Sequence, residues 1–255
     1  MKKAGLKMAE DNPLAHSHRL LWEGLPESRK GPRPTLTLEQ IVTAGIALAD
    51  AEGVDALSMR KLSAELGVGT MSLYRYVPNK HELLNLMLDQ VLGTQIGRTE
   101  PGAPWRETLT AMAEHGRAMY LRHPWLLQVN WSRPVLGPNA IAQMEETVAG
   151  LTELPFGDQE TMMVVSALDA YVTGSVREEI LYSQAAAESG LTEEEFWNYQ
   201  LPVLVRAMES GQFPAMAALS EDVFDAGWES SFTLGLQFLL DGIEQQVVRR
   251  TGAKQ

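Results

Sequence analysis

Apolar residues recur every three or four positions along most of the chain, which is the spacing of helices with one buried face. The first clear case is residues 37–52, where Ile41 and Leu48 share a face. Thr37, with Gln40 three residues later, forms the pattern of a capping box at its start. By the same spacing we predict helices at 80–92, 105–122, 139–154, 158–182, 193–208 and 222–250, with a short apolar piece at 125–131. The pattern therefore predicts an all-α fold.

Two shorter helices are predicted between residues 58 and 80, where the chain reads SMRKLSAELGVGTMSLYRYVPNK. Ser58 is a suitable N-cap for the first of them. Gly67 falls where that helix must end in a left-handed conformation, which glycine adopts at little cost. Leu73 and Val77 are spaced to point inward from the second helix. Two short helices joined by a glycine turn predict a helix-turn-helix, whose second helix enters the major groove of DNA.

Several polar side chains of this motif are predicted to face DNA. Arg60 could reach a guanine edge, and Arg75 is the better candidate for reading a base, although it could bind phosphate instead. Met71 could touch a thymine methyl group or simply pack. For each of these side chains the alternative is a solvated surface residue. The predicted DNA-facing residues of the motif are Arg60, Thr70, Met71, Ser72, Tyr74, Arg75, Tyr76 and Lys80.

Residues 37–88, from TLEQIVTAG through SMRKLSAELGVGTMSLYRYVPNK to HELLNLML, resemble the DNA-binding domain of the TetR family of bacterial transcriptional regulators. The resemblance implies a homodimer that binds a palindromic operator and is released by a small-molecule ligand. It also implies that Tyr74 and Lys80 contact phosphates, which fixes register without reading sequence. The predicted helix 80–92 would link the DNA-binding domain to a C-terminal ligand-binding and dimerisation domain.

The charge of the chain is unevenly distributed. The formal net charge is -12, yet residues 29–98 hold 8 basic and 7 acidic side chains, whereas residues 99–255 hold 9 basic and 22 acidic ones. Only the N-terminal part can therefore face the phosphates of DNA. The basic run Arg29, Lys30 and Arg33 could be an arm that touches phosphates or the minor groove. The alternative for this run is a solvated linker.

Glycines and prolines divide the chain into three predicted regions. We predict a mobile N-terminal extension at 1–34 that could contain a short helical turn at residues 20–22, a helix-turn-helix domain at 35–92, and a helical ligand-binding and dimerisation domain at 93–255. The helix at 158–182 is almost entirely apolar in its first half, and small residues recur every four positions in the last helix. This composition favours a dimer interface built from both helices, and the alternative is the internal core of a monomer.

The ligand site is less defined by the sequence. Flexible apolar and polar residues of the central helices are candidates for its lining, although each could equally belong to the core. Tetracycline repressors hold a drug-bound magnesium with a histidine, and the nearest position here is Asn130, so metal-tetracycline binding is not expected. The candidate ligand-binding residues are Met112, His115, Met119, Trp125, Asn130, Trp131, Met163 and Tyr171.

The sequence also leaves other classes of protein as alternatives. The chain has no cysteine, and its 5 histidines form no zinc-protease motif, so a helical enzyme is the remote alternative. A ligand-independent repressor or an activator of the same fold is the nearer one. No catalytic residue, metal site or cofactor is predicted. No apolar run approaches the roughly 20 residues of a membrane span, so we expect a cytoplasmic protein without a membrane partner.

Overall fold

The structure, a computed structural model, describes residues 13–25, 36–94, 100, 102–131, 133–220 and 222–252. Within these ranges the regular structure is helical, in agreement with the predicted all-α class. The helices are α1 Pro13–Trp22, α2 Leu38–Glu52, α3 Met59–Glu65, α4 Thr70–Leu73, α5 Lys80–Gly93, α6 Trp105–Arg122, α7 Pro138–Ala149, α8 Asp158–Ser189, α9 Glu193–Glu209, α10 Pro214–Ala217 and α11 Trp228–Gly252, with a short 3-10 helix at Pro124–Leu127.

The chain divides into two compact units, residues 1–156 and 157–255. The first unit contains α1 to α7 and has one hydrophobic core, to which α1 to α6 and the 3-10 helix all contribute. Its fully buried members include Ile41, Leu62, Leu83 and Met87. The second unit contains α8 to α11. None of the described helices is both long and apolar enough to cross a membrane.

Local capping explains where several helices begin. At the start of α2 the backbone N–H of Gln40 donates to the hydroxyl of Thr37 over 3.1 Å, and the Gln40 side chain accepts from the Thr37 backbone over 2.9 Å. This reciprocal pair is the predicted capping box. Asn79 caps α5 by accepting from the backbone N–H of Glu82 at 2.9 Å. These caps need only residues three positions apart, which is why the sequence reveals them.

The N-terminal extension differs from its prediction. Residues Pro13–Trp22 form a ten-residue helix that packs against α5 rather than a mobile segment with one helical turn. Leu20 and Ser17 are buried, and the Ser17 hydroxyl lies 3.4 Å from the donating side-chain nitrogen of Asn85. His16 also pairs with the carboxylate of Glu82. Tertiary packing thus forms this helix where local periodicity is weak, and it is longer than the predicted turn at residues 20–22.

Helix α8 is longer than predicted, and α11 begins later. The run of alanines after residue 182 has high helix propensity, so α8 continues to Ser189 and ends at Gly190, whose φ is +66°. Helix α11 begins at Trp228 rather than at residue 222, because turn hydrogen bonds occupy the intervening segment, including one from Asp225 to Asp222 at 3.0 Å.

Helices α8 and α11 pack against each other within the second unit. Tyr171 of α8 stacks on Phe232 of α11 with 5.5 Å between ring centroids, and its hydroxyl donates to the Phe232 carbonyl over 2.7 Å. This tyrosine lies over Gly235, where an added Cβ would come within 2.3 Å of the hydroxyl oxygen. The small residue predicted to admit a neighbouring helix therefore admits α8 of the same chain.

Each of these two helices buries only one face in the single chain. The buried residues are Leu168, Val172 and Val176 of α8 and Phe232, Leu236 and Leu240 of α11. Other large apolar side chains stay accessible, among them Met163 at 58% and Phe238 at 67% exposure. Within the single chain α11 covers one face of α8, and the dimer interface expected for the remaining apolar face stays a prediction.

An ion pair joins the first turn of α8 to the last turn of α11. Both guanidinium nitrogens of Arg250 donate to the Glu160 carboxylate, over 2.7 and 2.8 Å. The Arg250 hydrogen bonds, followed by one from the Gly157 backbone, lower the pKa of Glu160 from 4.5 to about 2. Because the pKa is depressed in the folded state, the stabilisation is present above pH 4.5 and lost as the pH falls towards 2.

We therefore expect the effect of Arg250→Gln to depend on pH. At pH 7 the variant should unfold at a lower urea concentration than the parent chain, and the difference should shrink at pH 3, where Glu160 is partly protonated in the variant. Urea unfolding followed by far-UV circular dichroism at both pH values measures this. An equal difference at both pH values would show that the pair does not contribute in this way.

Candidate DNA-binding site

The helix-turn-helix is formed by α3, a turn and α4. The backbone N–H of Lys61 donates to the Ser58 hydroxyl over 3.2 Å, which starts α3 as predicted. Gly67 has a φ of +66°, the left-handed conformation predicted for the end of this helix. Helix α4 covers only Thr70–Leu73, but N–H groups of Tyr76 and Val77 continue the helical turns by donating to the Leu73 carbonyl at 2.9 and 3.1 Å.

The buried side of the motif fixes which residues are exposed. Leu62, Leu73 and Val77 are completely buried, so the opposite side of α4 faces outward. Met71 is 74% and Tyr74 40% exposed. Arg60 and Arg75 are exposed too, and within the described residues neither has a side-chain hydrogen bond or ion pair. Two guanidinium groups and an exposed phenol on one small motif are suited to donating hydrogen bonds to the bases and phosphates of DNA.

Three of the predicted DNA-facing residues have structural contacts as well. The Thr70 hydroxyl lies 2.8 Å from that of Ser63, which in turn donates to the Arg60 carbonyl at 2.8 Å. Tyr76 is half-buried against the core. The Lys80 ammonium donates to the Val54 carbonyl over 2.6 Å and retains donors for another partner. Ser72, another predicted DNA-facing residue, is half-buried.

The basic run Arg29, Lys30 and Arg33 lies outside the described residues. Nearby in the motif, Lys61 forms an ion pair with Glu52 of α2. The charge available on the described motif therefore rests on Arg60, Arg75 and Lys80.

A side-chain cluster joins α2 to the chain after α6. The Asp50 carboxylate accepts from Nδ1 of His123 and from the indole N–H of Trp125, both over 2.8 Å. His123 and Trp125 are buried. Asp50 lies 73 residues before His123, so no sequence spacing indicates this contact. It fixes α2, which supports the helix-turn-helix, to the start of the 3-10 helix.

A second contact joins α5 to α7. The buried carboxylate of Asp89 accepts from the backbone N–H of Ala140 at 3.0 Å and lies 3.4 Å from that of Asn139. An anionic acceptor at a helix N-terminus satisfies its free N–H groups and interacts favourably with the helix dipole. The indole of Trp22 in α1 also donates to the Leu136 carbonyl, over 3.0 Å. Sequence analysis missed both contacts because their partners lie far apart in the chain.

Two cavities of the first unit bear on the predicted ligand site. The inner cavity, of about 130 Å³, lies among α5, α6 and α7 and includes Met119 and Trp131 in its lining. The junction cleft, of about 370 Å³, lies among α2, α5 and α6 and includes His115 and Met119. Met119 therefore lines both.

The other ligand candidates do not line these two cavities. Trp125 is buried in the core and bonded to Asp50, Met112 is half-buried on α6, and Asn130 is exposed. Met163 and Tyr171 belong to the second unit, where Met163 is exposed and Tyr171 packs on α11. Among the described residues no group of three or more histidines and carboxylates is arranged to hold a metal ion.

Two family models match the chain. Residues 41–87 match the model of bacterial regulatory proteins of the tetR family. Residues 99–247 match the tetracyclin repressor-like C-terminal domain. The second match alone covers more than half of the 255 residues.

Similar proteins agree with these models. The HTH-type transcriptional repressor DrrR1 of Streptomyces coeruleorubidus is 46% identical over 94% of this chain and 88% of that protein. The tetracycline repressor protein class D of Escherichia coli is 26% identical over 83% of this chain and 91% of its own length. The structure of the Streptomyces coelicolor TetR-family protein ActR in complex with actinorhodin matches with a TM-score of 0.69 and 31% identity, covering 84% of this chain and 99% of ActR.

These matches also decide between classes of protein. The families and relatives are regulators of transcription, so the alternative of a helical enzyme is wrong. With both family models, a closely similar repressor and the helix-turn-helix geometry in agreement, the chain belongs to the TetR family of DNA-binding transcriptional regulators.

Proposed function

We propose that the chain is a transcriptional repressor that a small-molecule effector releases from a palindromic operator. The observation that carries the proposal is the exposed face of the helix-turn-helix, where Arg60, Tyr74 and Arg75 lie opposite the fully buried Leu62 and Leu73. Repression is supported by the similarity to DrrR1, which is a transcriptional repressor. An intracellular place of action, the cytoplasm, follows from the proposed operator.

The operator is proposed to be bound by two copies of the chain. Exposed apolar side chains such as Met163 of α8 and Phe238 of α11 would be covered if these helices packed on their counterparts in a second copy. Two heads related by a two-fold axis would read half-sites about one helical turn, roughly 34 Å, or more apart. The head is the segment α2–α5, residues 38–93, and DNA would repel the acidic remainder of the chain.

Effector control is supported by the inner cavity and by ActR. ActR was solved in complex with actinorhodin, and it shares 31% identity with this chain. The inner cavity touches α5 of the head as well as α6 and α7, and Asp89 at its edge caps α7. At about 130 Å³ it is smaller than the roughly 300 Å³ of typical ligand sites. An effector would therefore have to move α5 relative to α7, which would change the spacing of the two heads.

The effector must bind the two arrangements with different affinity to shift the equilibrium between them. We propose that the coupling runs through the contacts of Asp50 and Asp89, because they join the head to the rest of the first unit.

The proposal is tested by fluorescence anisotropy with DNA from upstream of the chain's own gene, against a scrambled duplex, over a salt series. Preferential binding near physiological salt, with two chains per operator by sedimentation velocity, is expected. Equal, salt-sensitive binding to both duplexes would count against that operator, and genome-wide selection of bound fragments would then decide whether any specific operator exists. Operator binding that requires an added ligand would instead indicate a ligand-dependent binder or an activator.

Substitutions in the motif separate base reading from phosphate binding. We expect Arg75→Ala to weaken operator binding about tenfold and to relax discrimination at one base step. Lys80→Ala should weaken binding to every sequence and lower the salt slope by about one. Because Lys80 also donates to the Val54 carbonyl, thermal unfolding must show that the variant is still folded.

The matched control is Arg206→Ala, which removes an exposed arginine from α9 in the second unit. It should leave affinity and salt slope unchanged. An unaltered base preference in Arg75→Ala would remove the base-reading role from that residue, and an unaltered salt slope in Lys80→Ala would remove the phosphate contact.

A further inference from the structure

The junction cleft shares Met119 with the inner cavity. Its walls come from two helices of the head, α2 and α5, and from α6. Ile46, Val91 and Met119 give it an apolar surface, and Gln90 donates to the Thr43 hydroxyl across 3.0 Å, joining α5 to α2 at its edge. Its lining is Thr43, Ile46, Gln90, Val91, Thr94, His115, Ala118, Met119, Arg122 and His123.

The charges of the cleft differ from those of the chain as a whole. The chain has 33 acidic and 21 basic residues, yet among the described residues the lining contains an arginine, two histidines and no carboxylate. Arg122 is exposed and His115 half-buried, and within the described residues neither side chain has a hydrogen bond or ion pair. His123 differs, because its Nδ1 is bonded to Asp50. A guanidinium group stays protonated at any pH at which the protein is folded, so the cleft carries at least one positive charge that no carboxylate of its described lining offsets.

We propose that the junction cleft binds a small amphipathic anion, specifically an aromatic carboxylate. Its apolar body would lie against Ile46, Val91 and Met119, and its carboxylate would accept hydrogen bonds from Arg122 and His115. A planar guanidinium group matches a carboxylate with two parallel hydrogen bonds. The net charge of the chain, -12, disfavours a free anion, so the apolar contacts and the arginine must act together to hold it.

The size of the cleft limits the ligand. About 370 Å³ lies at the lower end of the range of small-molecule sites, roughly 300–1,000 Å³. This favours an acid with two or three fused rings over a larger glycosylated molecule. The cleft is already open at this volume, whereas the inner cavity has about 130 Å³.

A ligand in the cleft would contact the head and α6 at the same time. It would lie beside the Gln90–Thr43 hydrogen bond and next to His123, whose partner Asp50 belongs to α2. Occupancy would therefore favour the arrangement of α2, α5 and α6 that closes on the ligand. The effect on operator binding rests on the proposed repressor function, but binding itself does not.

Calorimetric titration of the full chain tests the site. The probes are naphthalene-2-carboxylate and its uncharged counterpart naphthalene-2-carboxamide, and no DNA is present. We expect the acid to bind at least about tenfold more tightly than the amide, because only the acid pairs with Arg122. Arg122→Gln should weaken binding of the acid about tenfold and leave the amide unchanged. Ala118→Trp, which fills the cleft from its exposed side, should abolish binding of both.

The matched control is Arg133→Gln, which removes an exposed arginine of the same unit that lines neither cavity. It should bind the acid like the parent chain, and the thermal unfolding of all three variants shows that each is folded. The proposal is overturned by equal affinity for acid and amide, by no binding of the acid, or by binding that neither Arg122→Gln nor Ala118→Trp alters. A separate operator titration with the acid tests release from DNA, so a failure of repression and a failure of this site are distinguishable.

Discussion

Gly235→Ala is expected to destabilise the second compact unit by about 2 kcal/mol, although alanine is the better helix former. The new Cβ would lie 2.3 Å from the Tyr171 hydroxyl oxygen and 2.9 Å from two ring carbons. The ring cannot simply rotate away, because it stacks on Phe232 and its hydroxyl donates to the Phe232 carbonyl. Urea unfolding at a fixed protein concentration measures the change in free energy of unfolding.

The matched control is Gly242→Ala in the same helix. An added Cβ at Gly242 meets nothing within 4 Å, so the substitution should stabilise α11 by about 1 kcal/mol through propensity alone. In a Tyr171→Ala background, Gly235→Ala should no longer be destabilising, because the clash is gone. If Gly235→Ala stabilises the parent chain as much as Gly242→Ala does, α8 and α11 are not packed as closely as described.

Asp89→Ala is expected to destabilise the first unit by about 2–3 kcal/mol, because the two backbone N–H groups at the start of α7 lose their acceptor. Asp89 is buried, and it accepts from Ala140 at 3.0 Å with Asn139 at 3.4 Å. Asp89→Asn keeps an oxygen in place and should lose about 1 kcal/mol. Amide hydrogen exchange should show faster opening at residues 139–142 than in the rest of α7.

Gly137→Ala tests the same contact from the other side. A Cβ at Gly137 would lie 2.2 Å from a carboxylate oxygen of Asp89, so we expect a loss of about 3 kcal/mol. Asp55→Ala is the control, since Asp55 is an exposed aspartate of the same unit and should change stability by less than about 0.5 kcal/mol. A loss in Asp89→Ala no larger than in Asp55→Ala would contradict the capping role.

Sequence reasoning succeeded where the chemistry is local. The capping box at Thr37 joins residues three positions apart, and it is confirmed. The left-handed turn at Gly67 is confirmed for the same reason, because its conformation depends on the residue itself. Together with the spacing of Leu73 and Val77, these local signals were sufficient to predict the helix-turn-helix and its buried side.

The contacts that join distant segments could not be predicted in this way. Nothing in the sequence near Asp50 indicates a partner 73 residues away. Likewise, the composition of α1 does not predict that this helix packs on α5. Periodicity marked α8 as apolar but could not show that a single partner helix covers only one of its faces. The roles proposed for individual base-reading and ligand-lining residues remain predictions, because they depend on molecules that bind the chain.

The contacts of Asp50, Asp89 and Trp22 also determine how this regulator can be recombined with others. A chimaera joined after α5, at residue 93, would combine a foreign head with α6 and α7 of this chain. It would leave His123 and Trp125 without their acceptor and the start of α7 without its cap. The exchangeable module is therefore the whole first unit, residues 1–156, which carries the reading motif and all three contacts together. Transplanting that unit would preserve an intact reader, and re-engineering specificity is better confined to the exposed face of α4.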